Sequence, residues 1–382
     1  WGNNISGVLG NGIYTDSTDP VQISELNNVT AIASGLSHCL ALKSDGTVWA
    51  WGNNSRGELG DGTYSSTTTP IQIGGLSNVT AIAAGYTHSL ALKSDGTVWA
   101  WGYNTTGQLG DGTNTGSNVP VQVSGLINVT AISVGVGGGY GSGYSGHSLA
   151  LKSDGTVWAW GANGGGQLGD GTNTDRNTPV QVSGLNDVTA IAAAGGQDTE
   201  VLGDIYKKAY SFALKSDGTM WAWGWNDSGR LGDGSNTDRS SPVQVKGLAN
   251  VIAIAGGEWD HSLALKSDGT VWAWGNNSNG ELGIGTYYNR NTPAKVSNLS
   301  DVIAIGGGYD HSLALKADGS VWAWGSNSNG ELGDGTTTER TTPVQANINL
   351  YKTLIPTPSS TPTPTPSPTP TPAEGTGVIY GF

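Results

Sequence analysis

The chain has 382 residues, 62 of them Gly, and carries a net charge of −13 from 30 acidic and only 17 basic side chains. No Lys/Arg stripe of the kind that tracks a phosphate backbone is present, which argues against nucleic acid as a partner. No run approaches the roughly 20 apolar residues of a membrane-spanning helix, and the lone Cys39 rules out an intrachain disulfide.

The first residues, Trp1-Gly2, a Gly/Asn loop and an apolar segment from Pro20 to Ile23, read as the closing parts of a unit that then recurs in full. In its cleanest copy the unit starts with Asn78-Val79-Thr80-Ala81-Ile82-Ala83, a strand of small and β-branched residues. After Gly85 comes His88-Ser89-Leu90-Ala91-Leu92-Lys93, then Ser94-Asp95-Gly96-Thr97, whose Asp-Gly pair tolerates the positive φ of a tight turn, then Val98-Trp99-Ala100-Trp101-Gly102. A Gly/Asn loop leads on to a Pro-led strand at Pro120. The second Trp of the W-x-W-G ending falls at Trp51, Trp101, Trp160, Trp223, Trp274 and Trp324; counted from Trp1, the spacings are 50, 50, 59, 63, 51 and 50.

Four short strands per period, each unit burying its apolar faces only against its neighbours, predict an all-β chain folded as a β-propeller of four-stranded blades. The small-residue strand suits the crowded axis, the His-Ser strand comes second and the Val-Trp-Ala-Trp strand third. The Pro-led strand is outermost because Pro has no ladder donor. A period of two puts Trp99 and Trp101 on one face, where they fill the space between blades.

The pattern Gly-x-x-His-Ser-x-Ala-Leu, Asp-Gly, Trp-Gly and Gly-x-Leu-Gly-x-Gly, read at Gly85 to Leu92, Asp95-Gly96, Trp101-Gly102 and Gly107 to Gly112, resembles the repeat of the regulator of chromosome condensation family. The resemblance covers residues 1–346 and implies a seven-bladed propeller. Inner strands near Val29, Val79, Val129, Val188, Val251 and Val302 make six complete blades. The segment before them reads as the partial rim of a seventh blade, whose inner strands would precede residue 1 in the intact protein. Residues 347–355 form an exit segment. Residues 356–372 alternate Thr, Pro and Ser as an extended linker at ~3.1 Å per residue, and residues 373–382 turn apolar again as the start of a second module. Such linkers resemble those joining modules of secreted bacterial proteins, so a multimodular protein placed extracellularly or on the cell surface is expected.

His38, His88, His147, His261 and His311 share one repeat position, which Tyr210 holds in the remaining copy. One His per blade forms a ring too wide to share an ion, so these residues and the six Trp are assigned to the scaffold, the His pinning adjacent strands by side-chain hydrogen bonds. Asp170 to Asp175 and Asp233 to Asp238 alternate oxygen ligands as calcium loops do, but lack the Gly at position six and the closing Glu, so turn chemistry is expected there. The sequons at Asn28, Asn78 and Asn128 read as turn residues at strand starts. No nucleophile and base, phosphate loop or isolated carboxylate pair departs from the repeat, so no enzymatic role, cofactor or metal is expected.

The repeat breaks at Gly135 to Gly146 and at Gly195 to Ala209, both between inner and second strands. The first insertion brings Tyr140 and Tyr144; the second brings Asp198, Glu200 and Tyr206. The same loop elsewhere carries Tyr86, then Glu258, Trp259 and Asp260, then Tyr309 and Asp310. One face near the axis thus gathers an aromatic and acidic set of the kind that anchors a protein partner. A non-enzymatic protein-interaction module is the expected function. Carbohydrate binding is the alternative, since aromatic rings flanked by carboxylates also suit sugar stacking. The resemblance implies a third, guanine-nucleotide exchange on a small GTPase.

Overall fold

The computed structural model describes residues 4–17, 21–23, 26–135, 146–195, 199–201, 204–206, 209–257 and 260–347. Tyr140, Tyr144, Asp198, Glu258 and Trp259 lie outside the described residues, as do Trp1, Gly2, Pro20, the Thr/Pro/Ser linker and the final apolar segment. The described residues form six four-stranded antiparallel sheets, one two-stranded hairpin and no helix.

Each blade follows one plan. In the second, Val79–Ala84, His88–Lys93, Val98–Gly102 and Ser117–Gln122 pair in chain order. All six inner strands begin at the Val residues that the repeat marks. Adjacent blades approach one another along these first strands, which therefore line the axis, and the fourth strands form the rim. Pro70 lies within the rim strand Thr67–Gln72, where an edge tolerates its missing N–H.

Turn chemistry explains the chain reversals. Gly96 takes a φ of 76°, while Asp95 Oδ1 accepts bonds from Thr97 N (2.9 Å) and Thr97 Oγ1 (2.6 Å). Only the Gly of the Asp-Gly pair is left-handed, and the Asp acts as a side-chain brace. Asn28, Asn78 and Asn128 have φ of 55°, 56° and 58°, the turn conformation that short amide side chains tolerate. Gly102, at φ 104°, also passes so close to the Thr87 carbonyl that a Cβ there would collide with it.

The core lies between blades. Leu90, Val98 and Leu109 of the second blade pack with Ala150 and Trp160 of the third, and the same layer repeats around the array. Trp101, Trp160, Trp223, Trp274 and Trp324 are wholly buried, which makes the indole the largest apolar contribution at each joint. Trp99 shares the face of Trp101 but is only half-buried; Lys93 Nζ lies 5.5 Å from its ring and Thr97 Oγ1 accepts its Nε1–H at 3.3 Å.

Two sheet faces have no neighbouring blade among the described residues. Ile32 of the first blade is 57% exposed where its counterpart Ile191 is 3%. In the sixth blade Leu313 and Val321 are half-buried where Leu263 and Val271 are fully buried. Residues 4–17 nevertheless repeat a rim loop. Asn4 Oδ1 accepts the Leu9 N–H at 2.9 Å, as Asn104 Oδ1 accepts that of Leu109, and Val8 O accepts Trp51 Nε1–H at 2.7 Å. That rim loop is thereby tied to the first blade.

Candidate functional site

Strand direction puts two sets of loops on one face: those joining inner to second strands and those joining third to fourth strands. Backbone bonds tie the sets together, Thr87 O accepting from Tyr103 N at 2.9 Å and Asp260 O from Asn276 N at 2.8 Å. Beneath this face runs a relay that joins each blade to the next. Glu58 O accepts Ser89 Oγ–H at 3.0 Å and Trp101 Nε1–H at 2.7 Å. Gln108 O does the same for Ser148 at 3.1 Å and Trp160 at 2.9 Å. Gln167, Arg230 and Glu281 repeat the arrangement.

The single Ser hydrogen is used on that carbonyl, so the Ser oxygen accepts from a His of the preceding blade. His38 Nε2 lies 2.9 Å from Ser89 Oγ, His88 3.0 Å from Ser148, His147 2.8 Å from Ser211 and His261 3.0 Å from Ser312. The relay Nε2–H···Oγ–H···O=C assigns the Nε2–H tautomer, and Nδ1 of these four rings has no partner among the described residues. Burial keeps them neutral, lowering His38 to about 4 and His88, His147 and His261 to about 3. The histidines therefore join blade to blade; the expected pinning of strands acts between sheets.

Two positions depart from the relay. Cys39 stands where the Ser would be, with Sγ 3.5 Å from Val8 O, and burial pushes its thiol up to about 12, far from a reactive thiolate. Tyr210 replaces the His of the fourth blade, and its hydroxyl donates toward His261 O at 2.7 Å, with Gly257 O at 3.1 Å. Arg230 lies with its guanidinium carbon 5.5 Å from the Tyr210 ring centre, wholly buried, and pairs with Asp260 Oδ1 at 2.6 Å and with Asp227. Asp260 is 3% exposed. The exposed-face position expected for Asp260 is thus corrected: a buried guanidinium requires a carboxylate, and Asp260 supplies it.

Tyr86, Tyr309 and Asp310 lie half-buried in the loops of the upper face. Burial, with the nearby carboxylates of Glu281, Asp260 and Glu331, raises the Asp310 carboxyl to about 7. Glu200 and Tyr206 belong to an extra hairpin, Thr199–Val201 paired with Asp204–Tyr206. It stands between the inner strand Val188–Gly195 and the second strand Ala209–Lys215 of the fourth blade. These described candidates share a face but come from the second, fourth and sixth blades, so they form a broad surface and not one pocket.

The acidic loops are braced turns. Asp170 accepts from Thr172 N (2.9 Å), Thr172 Oγ1 (2.7 Å), Arg176 Nε (3.0 Å) and Arg176 Nη2 (2.7 Å), and Asp233 is held alike by Ser235 and Arg239. Among the described residues no three His, Cys, Asp or Glu converge as a metal-binding group. Two repeat positions escaped the sequence reading. Asn104 is wholly buried and organises its loop through Asp111 Oδ1 (3.3 Å), Thr113 O (3.2 Å) and Thr115 O (3.0 Å); an Asn two residues after each Trp-Gly was the available signal. Glu58 is the other; its backbone carbonyl anchors the next blade, while burial raises its own carboxyl to about 7.

The family model for the RCC1-like domain matches residues 1–211, and that for the Regulator of chromosome condensation (RCC1) repeat matches residues 217–265, 268–315 and 318–354. The Ultraviolet-B receptor UVR8 of Arabidopsis thaliana is 34% identical over 156 residues, covering 40% of this chain and 33% of the receptor. The E3 ubiquitin-protein ligase HERC2 of Mus musculus is 34% identical over 162 residues, covering 42% of this chain and 3% of the ligase. The match thus spans a third or less of these relatives' own length. The crystal structure of Prp20p from Saccharomyces cerevisiae, described with its binding properties to Gsp1p and histones, has a TM-score of 0.75 at 25% identity, covering 91% of this chain and 85% of that one.

Proposed function

This chain belongs to the Regulator of chromosome condensation (RCC1) repeat family, and we propose that it is a non-enzymatic protein-binding propeller whose partner docks on the face built by the inner-to-second-strand loops. The observation that carries this reading is the extra hairpin of the fourth blade, the one added element in an otherwise regular set of described strands. Tyr86 and Tyr309 in the equivalent loops supply half-buried rings that aromatic hot spots use. The buried Arg230 is paired with Asp260 and Asp227, and the buried histidines are bonded to serines of the next blade, so these charged and titratable groups are accounted for structurally among the described residues. The protein partners named for Prp20p support it by kinship.

Partner capture with the whole chain and with a Tyr86→Ala, Trp259→Ala, Tyr309→Ala variant tests the face. Loss of the captured protein with unchanged folding supports the site; full retention moves it elsewhere. A second reading, guanine-nucleotide exchange on a small GTPase, rests on the family and on the likeness to Prp20p. Faster nucleotide release from a GTPase mixed with the chain would favour it, and an unchanged rate removes it.

The setting is also our proposal. The Thr/Pro/Ser alternation of residues 356–372 supports a linker to a further module of an extracellular or cell-surface protein. The exposed Ile32 and the half-buried Leu313 and Val321 support a seventh blade that would close the ring and use residues 4–23 as its rim. A longer chain carrying that blade is expected to unfold at higher urea than this one.

A further inference from the structure

In the third, fourth and sixth blades the rim strand begins with an Arg that clasps an Asp of its own loop. Arg176 holds Asp170, Arg239 holds Asp233 and Arg340 holds Asp334, each with Nη2 2.7 Å from Oδ2. The fifth blade keeps the Arg, Arg290, but Ile284 stands where the Asp would be. Ile284 packs against the apolar core between blades, so nothing replaces the carboxylate. Two consequences are visible. Arg290 is exposed and its side chain has no ion pair or hydrogen bond among the described residues. Thr286 Oγ1, whose counterparts Thr172 and Thr336 donate to the Asp at 2.7 Å, is buried with no partner among the described residues.

Arg290 lines a solvent-open cavity of about 260 Å³ at the rim between the fourth and fifth blades, together with Ser228, Asn236, Asn289, Asn291 and Thr292. Every lining residue is polar and one alone is charged. Tyr288, on the same loop, is 78% exposed. A guanidinium released from its internal carboxylate presents the flat two-point donor that another carboxylate fits. The amides and hydroxyls beside it suit several ligand hydroxyls, and an exposed tyrosine offers a stacking face. A peptide side chain would want an apolar anchor that this lining lacks, and a strongly acidic peptide meets a chain of net charge −13.

We propose that this cavity binds a carboxylated sugar residue, a uronic or sialic acid, with Arg290 holding the carboxylate. The site lies at the rim of the same face, in the third-to-fourth-strand loops, and shares no residue with the inner-to-second-strand loops proposed to bind a protein, so the failure of either leaves the other standing.

Isothermal titration of the whole chain with methyl β-D-glucuronide and with sialyllactose tests it, with methyl β-D-glucoside and a short Asp/Glu peptide as comparisons. At least one acidic sugar is expected to bind saturably, about tenfold or more tighter than the glucoside. Arg290→Gln removes the donor, and Ile284→Asp restores the internal carboxylate that re-engages Arg290; each is expected to weaken binding about tenfold or more. Arg176→Gln should leave it unchanged. Absence of binding by both acidic sugars, equal binding of the glucoside, tighter binding of the peptide, or wild-type affinity in both Arg290→Gln and Ile284→Asp would each overturn the proposal.

Discussion

Between the second and third blades, His88 reaches Ser148 at 3.0 Å and stays neutral; between the fourth and fifth, Tyr210 takes the His position and a buried Arg230–Asp260 pair at 2.6 Å is added. Both joints keep the same anchor, a loop carbonyl that accepts an indole N–H: Gln108 O from Trp160 and Arg230 O from Trp274. What changes is the side-chain layer laid over that anchor. The first joint has no charge to desolvate, whereas the second places a guanidinium in the interior and depends on its partner. The blade spacing is therefore set by indole and carbonyl, and the His position accepts any group that fills the space and donates a hydrogen.

Removing the shared element should cost most and cost alike at both joints. Trp160→Ala and Trp274→Ala are each expected to lose about 3–5 kcal/mol of stability in urea unfolding; a much smaller loss at one joint would mean that its side-chain layer, and not the anchor, sets the spacing. Next comes the element found at one joint only. Asp260→Ala leaves Arg230 buried without Asp260 and should cost about 3–5 kcal/mol, while Asp260→Leu combined with Arg230→Met should recover most of it. Equal losses for the single and double variants would show that the pair does not act as a unit.

The neutral joints predict a histidine-borne pH dependence that the Tyr210 position lacks. His88 titrates near 6.5 in the unfolded chain and near about 3 in the folded one, so protonation favours unfolding. Its contribution is complete above 6.5 and is lost as pH falls from there toward 3, at up to about 1.4 kcal/mol per pH unit. His88→Ala should flatten the acid limb of the stability curve by that amount. Tyr210→Phe should leave its slope unchanged. The smallest effect belongs to the upper face, where Tyr86→Ala is expected to change stability by about 0.5 kcal/mol or less while weakening partner capture.

The fold was legible because the repeat supplies its own controls. Six copies of one Trp-Ala-Trp-Gly ending and six Pro-bearing strands leave a single arrangement in which the second Trp of each ending is buried and the Pro of each described rim strand sits at an edge. Asn28, Asn78 and Asn128 were readable as turn residues because they stand at strand starts, and their positive φ agrees. The joints were less legible. The anchors are backbone carbonyls of Glu58, Gln108, Gln167, Arg230 and Glu281, and a carbonyl has no letter in a sequence. Asp260 looked available because its partner, Arg230, lies in another blade, where an Arg replaces the Glu or Gln of the other copies. Ile284 carried a signal that was missed: one apolar residue among five Asp at the same loop position, six residues before an Arg.

The recurring histidines are structural donors in a relay between blades and not a titrating functional ring. Long-range nitrogen-15 and proton correlation spectra of the imidazoles at pH 5 test it most directly. The relay predicts neutral rings protonated on Nε2 alone for His38, His88, His147 and His261, with folding intact. Imidazolium signals, or rings protonated on Nδ1 instead, would contradict it.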